Sequence, residues 1–174
     1  MAKSSKKTQQ SDEQKVLNVL KRQGDITLEQ LEKKTGFSRQ KLWRIKNSLK
    51  QNGTIWGYSA IDDSGKQNLS QFILLLKRSM KPFEEKFRNE VVKENLDSYL
   101  PGKVIIQDIY YTHGYFNAVI NFQAKNIIDA KKLIDTIMIK LGDYFTEIQL
   151  LETLFPVRLR GIKNPNIEKL VEFI

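Results

Sequence analysis

The sequence predicts an α+β protein: an N-terminal winged helix-turn-helix domain followed by a C-terminal ferredoxin-like βαββαβ domain. Three observations carry that prediction. Apolar residues recur at helical spacing in three short segments before Gly53, the last two joined by a glycine-containing turn. Beyond residue 70 the rhythm changes to strand, helix, strand, strand, helix, strand. Charge divides at the same place: residues 1–61 hold 13 Lys/Arg against 5 Asp/Glu, whereas residues 62–174 hold 16 against 15.

Residues 1–11 are polar and aperiodic, which predicts a disordered basic arm containing Lys3, Lys6 and Lys7. The helix-turn-helix domain with its hinge strand is expected over 12–61. Ser11 offers an N-cap for a first helix, with Val16, Leu17, Val19 and Leu20 as its apolar stripe and Gly24 as its stop. Thr27 opens a second helix, with Gln30 placed to close a capping box and Leu28 and Leu31 facing inward. After Thr35-Gly36-Phe37, Ser38 caps a third helix that ends at Asn52-Gly53, where glycine suits the left-handed position. Thr54 to Ile61, rich in β-branched and aromatic residues, predicts a strand.

Residues 62–70 read as a linker and 71–155 as the second domain. The apolar run Phe72 to Leu76 predicts a strand covered on both faces. Pro82 begins a helix with Phe83, Phe87, Val91 and Leu96 in register, and Pro101-Gly102 forms a turn. Val104 to Thr112 is strand-like, His113-Gly114 reverses the chain, and Tyr115 to Phe122 alternates inward and outward. Asn126 caps a helix with Ala130, Ile134, Met138 and Leu141 on one side, and Phe145 to Leu151 forms the last strand. Both helices then lie on one sheet face, so the other exposes apolar area unless it is covered. A second copy of the chain is the expected cover, and the tail 156–174, with a short helix from Asn166, is an alternative one.

Function follows first from the third helix. Ser38 to Gly53 carries five Lys/Arg and no acidic residue, whereas a merely solvated helix interleaves Glu with Lys. At about 100° per residue, Leu42, Ile45 and Leu49 share a buried stripe. The opposite side presents Arg39, Gln40, Trp43, Arg44, Asn47, Lys50 and Gln51. Arg and amide side chains pair with base edges in a major groove, and Lys with phosphate. Ser38, Arg39, Gln40, Trp43, Arg44, Asn47, Lys50 and Gln51 are therefore the candidate DNA-binding residues, although Trp43 also suits a place flanking the core.

Composition excludes several chemistries. There is no cysteine, so disulfides, thiol catalysis and zinc ribbons are out. A single histidine, His113, and no clustered carboxylates leave no metal motif, and neither a phosphate loop nor a nucleophile elbow occurs. No catalytic residue, cofactor or metal is expected. No apolar run reaches the ~20 residues that cross a bilayer, and the N-terminus lacks a secretory apolar core, so a cytoplasmic, nucleoid-associated protein is expected.

Three stretches resemble the Lrp/AsnC (leucine-responsive regulator) family of prokaryotic transcription regulators: ITLEQLEKKTGFS at Ile26–Ser38, NGTIWGYSA at Asn52–Ala60, and the βαββαβ module with THGYFNAVI at its hairpin. The resemblance implies a DNA-binding domain joined to a RAM/ACT-like domain that dimerises through its sheets, in some members to octamers. It further implies a small-molecule effector bound at the hairpin, here Thr112, His113, Gly114 and Asn117. Asn117 stands where the family carries Asp, so the carboxylate that would pair with an amino-acid ammonium is missing. Ile45 stands where the family carries Arg. The same architecture is similar to that of sirohaem decarboxylases, and an oligomeric ligand sensor without DNA binding is a third reading. The placement of the positive charge in the first domain favours the regulator.

Overall fold

The computed structural model describes residues 6–92 and 104–174. The chain forms two compact units, Met1–Ile61 with Val157–Glu168, and Asp62–Pro156 with Lys169–Ile174.

In the first unit, α1 (Lys6–Leu20), α2 (Leu28–Thr35) and α3 (Arg39–Gln51) pack around Val16, Leu20, Ile26, Leu31, Leu42, Ile45 and Leu49, all buried. The start of α1 corrects the expected boundary. Residues 6–11, anticipated as part of a disordered arm, are helical, and Ser11 lies inside the helix rather than capping it. Long unbranched side chains favour helix there, and Gln9 Nε2 donates to Glu13 Oε1 one turn on. Lys3 lies outside the described residues. Thr27 closes its capping box with Gln30, and Gly36 at φ +72° ends α2 in the left-handed conformation. Ser38 caps α3 by accepting from the Lys41 N–H, and Gly53 at φ +73° follows the helix end.

Thr54 to Ile61 has no ladder partner among the described residues, so the expected strand is not formed there. β-propensity supplies an extended backbone, whereas a strand also needs a neighbouring edge. The segment is anchored by Ile55, which packs on the core and donates its N–H to Leu49 O at 2.8 Å.

The second unit is an antiparallel sheet of order β2-β3-β1-β4, from β1 (Ser70–Arg78), β2 (Ile105–Tyr111), β3 (Ala118–Ala124) and β4 (Phe145–Glu152). Helices α4 (Glu85–Val92) and α5 (Ile127–Leu141) complete the βαββαβ order. The anticipated linker is ordered locally as a single 3₁₀ turn, Ser64–Gln67, capped by Asp63 Oδ1. Leu96 and the turn at Pro101-Gly102 lie outside the described residues.

Phe72, Leu74 and Leu76 are buried, while Ile73 and Leu75 between them are only half-buried. The inward set meets Ile120, Phe122, Ala130 and Leu133, with Phe72 and Phe122 stacked at 5.5 Å. On α5 the buried residues are Ala130 and Leu133, flanked by Ile134 and Ile137, while Met138 is half exposed. The buried stripe thus runs through Leu133 and Ile137 beside Ala130 and Ile134, rather than along Met138. Phe83 and Phe87 pack on buried Tyr144, which sits in the 3₁₀ turn after α5.

The chain ends with a small hairpin, β5 (Arg158–Leu159) and β6 (Ile162–Lys163), and a 3₁₀ segment, Ile167–Phe173. The short helix expected from Asn166 is therefore of the tighter 3₁₀ kind, and the hairpin was not legible from strand periodicity.

Two outcomes test this packing. Leu42→Ala should lower unfolding free energy by about 2–5 kcal/mol in urea titration, because Leu42 is fully buried where three helices meet. At the surface, Lys81 lies 2.9 Å from Asp143, and this hydrogen bond, reinforced by the lysine's charge, holds the Asp143 carboxyl below its ordinary range. The lowered carboxyl stabilises the fold above the ordinary carboxylate range and loses that effect as pH falls through its own titration. The thermal midpoint difference between wild type and Asp143→Asn should thus be small at neutral pH, vanish in acid and shrink with salt.

Candidate nucleic-acid interface

The phase of α3 is set by its buried stripe. With Leu42, Ile45 and Leu49 facing the core, Arg39, Gln40, Trp43, Arg44, Lys50 and Gln51 are exposed, and Asn47 is half-buried beside them. Trp43 is 60% exposed, so its ring does not flank the core. Trp43, Arg44, Asn47 and Gln51, together with Ser48 and Asn52, line an open groove of about 480 Å³. The other four of the eight candidate residues fall outside that groove's lining: Arg39 and Gln40 sit at the exposed N-terminal turn, Lys50 beside Gln51, and Ser38 is occupied in capping.

Ionic contacts sort the cations. Lys41 is bound to Asp12 of α1 at 2.6 Å and lies 3.8 Å from the Phe37 ring centroid. Ser48 Oγ donates to Glu13 Oε1 at 3.1 Å. These two acidic residues of α1 clamp α3 from its inner side, so Lys41 is a structural cation. Arg39 and Arg44 form no ion pair among the described residues. Lys46 and Lys50 lie over the Tyr58 ring at 5.9 and 5.5 Å. Tyr58 packs at Gly24, where an added Cβ would stand 3.2 Å from its Cδ1, and burial raises its hydroxyl pKa. The ring remains neutral and supports both lysines while leaving Lys50 exposed.

Sequence reasoning missed Tyr58 as a support for the lysines and did not foresee Trp56, which is 96% exposed in the segment after α3.

The four expected effector residues come together at the β2–β3 hairpin, where their polar groups close the turn. Thr112 N donates to Asn117 O at 2.8 Å and Thr112 Oγ1 to Phe116 O at 2.7 Å. Asn117 Oδ1 accepts from Arg78 N–H at 2.9 Å, and its Nδ2 donates to Gly114 O at 3.4 Å. His113 is exposed and Gly114 has φ +152°. Asn117 thereby ties the hairpin to the end of β1, a task its neutral amide performs with both its acceptor and its donor. Among the described residues no group of three or more His, Asp or Glu side chains is arranged to hold a metal, and no helix is long and apolar enough to cross a membrane.

No family model matches the sequence, and neither does any curated protein. Solved structures do match in fold. LrpC of B. subtilis superposes with a TM-score of 0.62 at 15% identity, covering 91% of this chain and 99% of that one. An AsnC family transcriptional regulator from Agrobacterium tumefaciens gives 0.66 at 16% identity, covering 85% and 92%. A feast or famine regulatory protein from M. tuberculosis, complexed with L-methionine, gives 0.68 at 15% identity, covering 86% and 94%. Across both units, this chain has the fold of the Lrp/AsnC regulators.

Proposed function

We propose that this protein is a sequence-specific DNA-binding transcriptional regulator that acts as a dimer or higher oligomer in the cytoplasm. The observation that carries the reading is the outward face of α3, which presents Arg39, Gln40, Arg44 and Gln51 to solvent with no acidic residue in the helix. Arg39, Gln40, Arg44 and Asn47 have the donor and acceptor groups for base edges, while Lys50 and Gln51 suit the backbone. The regulators of the same fold support this assignment.

Dimerisation is proposed on the sheet face that the helices leave uncovered, where half-buried Ile73, Leu75 and Val119 lie beside the half-exposed Leu151. In the proposed dimer the two copies of α3 enter successive major grooves of a pseudo-palindromic operator, about one helical turn of DNA apart or a multiple of it. A small-molecule effector is proposed at the hairpin of Thr112, His113, Gly114 and Asn117, by analogy with the regulator that holds L-methionine. Since Asn117 is neutral and engaged in closing the hairpin, ligand choice there does not rest on a carboxylate–ammonium pair.

Selection of bound fragments from genomic DNA supplies a site for quantitative work. Arg44→Ala should then weaken binding by about 1–3 kcal/mol and relax preference at one base position, whereas Lys50→Ala should weaken all sequences alike and lower the salt slope by about 1. Wild-type affinity in both variants would remove α3 as the reader. Leu75→Glu should shift the sedimenting species toward a single protomer; unchanged sedimentation would move the interface elsewhere.

A further inference from the structure

We infer that the C-terminal hairpin β5–β6 is a second, sequence-independent contact to the DNA backbone; this rests on the reading of α3 as a duplex reader. The segment Val157–Glu168 belongs to the same compact unit as the three helices. Including it, that unit holds 16 Lys/Arg against 6 Asp/Glu, and the other unit 13 against 14. No acidic residue occurs between Glu152 and Glu168, while Arg158, Arg160 and Lys163 are all exposed.

Two features of the hairpin work against its own stability, and the second favours an anion. The first is the turn. Arg160 at φ +45° and Gly161 at φ +89° make a two-residue reversal, and the first of these positions ordinarily takes Asn, Asp or Gly. An arginine there adopts a conformation that costs an L-residue energy. The second is the pairing. Arg158 stands directly across the ladder from Lys163, and like charges opposite one another repel. The turn nevertheless holds: Arg158 Nη1 donates to Gly161 O at 2.9 Å, and Asn164 N–H to Val157 O at 3.1 Å. The like-charge repulsion is relieved when a polyanion lies along the cations. Duplex phosphates, spaced regularly and read without regard to base, fit three cations carried on a short hairpin.

The test is the salt dependence of binding to a random-sequence duplex by fluorescence anisotropy, from about 50 to 200 mM salt. The variant Arg160→Gly with Lys163→Gln removes two cations while easing both the turn and the like-charge pair. Its thermal midpoint should equal or exceed that of wild type, yet its salt slope should fall by about 2. Arg158→Lys with Arg160→Lys preserves charge and should retain the wild-type slope. An unchanged slope in the first variant, with wild type binding the duplex, would overturn the hairpin's role and leave α3 as the reader. Failure of wild type itself to bind any duplex would overturn both.

Discussion

The burial of Leu42, Ile45 and Leu49 against Val16, Leu20 and Leu31 is the contact on which the rest of the first unit depends. A helix has one rotational phase, and an apolar stripe sets it. Once these residues are inside, Arg39, Gln40, Arg44 and Gln51 have nowhere to point but solvent. Rotating α3 by one residue would bury a charge without a partner, a penalty of several kcal/mol that no surface contact here offsets. The functional face is therefore a consequence of core packing, and α1 reinforces it: Asp12 and Glu13 hold the inner flank of α3 through Lys41 and Ser48.

The second unit shows the same logic applied to a sheet. Phe72, Leu74 and Leu76 project to the helices, and the alternation of a strand sends Ile73 and Leu75 the other way. One strand thus builds a core and at the same time an apolar face outside it. The hairpin beside that strand is closed by Asn117, whose amide satisfies Arg78 N–H and Gly114 O together. A carboxylate at that position could accept but not donate, so this chain exchanges a charge for a self-contained turn.

Much of this was legible because the signals are short-range. The capping box at Thr27, the caps at Ser38 and Asn126, the turn at Gly36 and the left-handed Gly53 depend on a few neighbouring residues and stand where the sequence placed them. The succession of strands and helices along the second unit was read from apolar runs, periodicity and turn residues. Trp43 and the stripe of α5 were less legible: each depends on how another element packs beside it, which periodicity does not encode. Hairpin β5–β6 is too short for alternation to register, and its turn residue is an arginine rather than the asparagine or glycine that usually marks such a reversal.

By itself, the amino-acid order determined the element types, the buried stripe of α3 and the concentration of positive charge toward the first unit. It did so because helix phase and capping are local and charge is additive. Only the tertiary structure decided which side of β1 would be covered, that Tyr58 would lie beneath Lys46 and Lys50, and that Val157–Glu168 would join the first unit. Those outcomes arise from packing between segments distant in the chain, where several apolar or basic candidates are equivalent until space is filled.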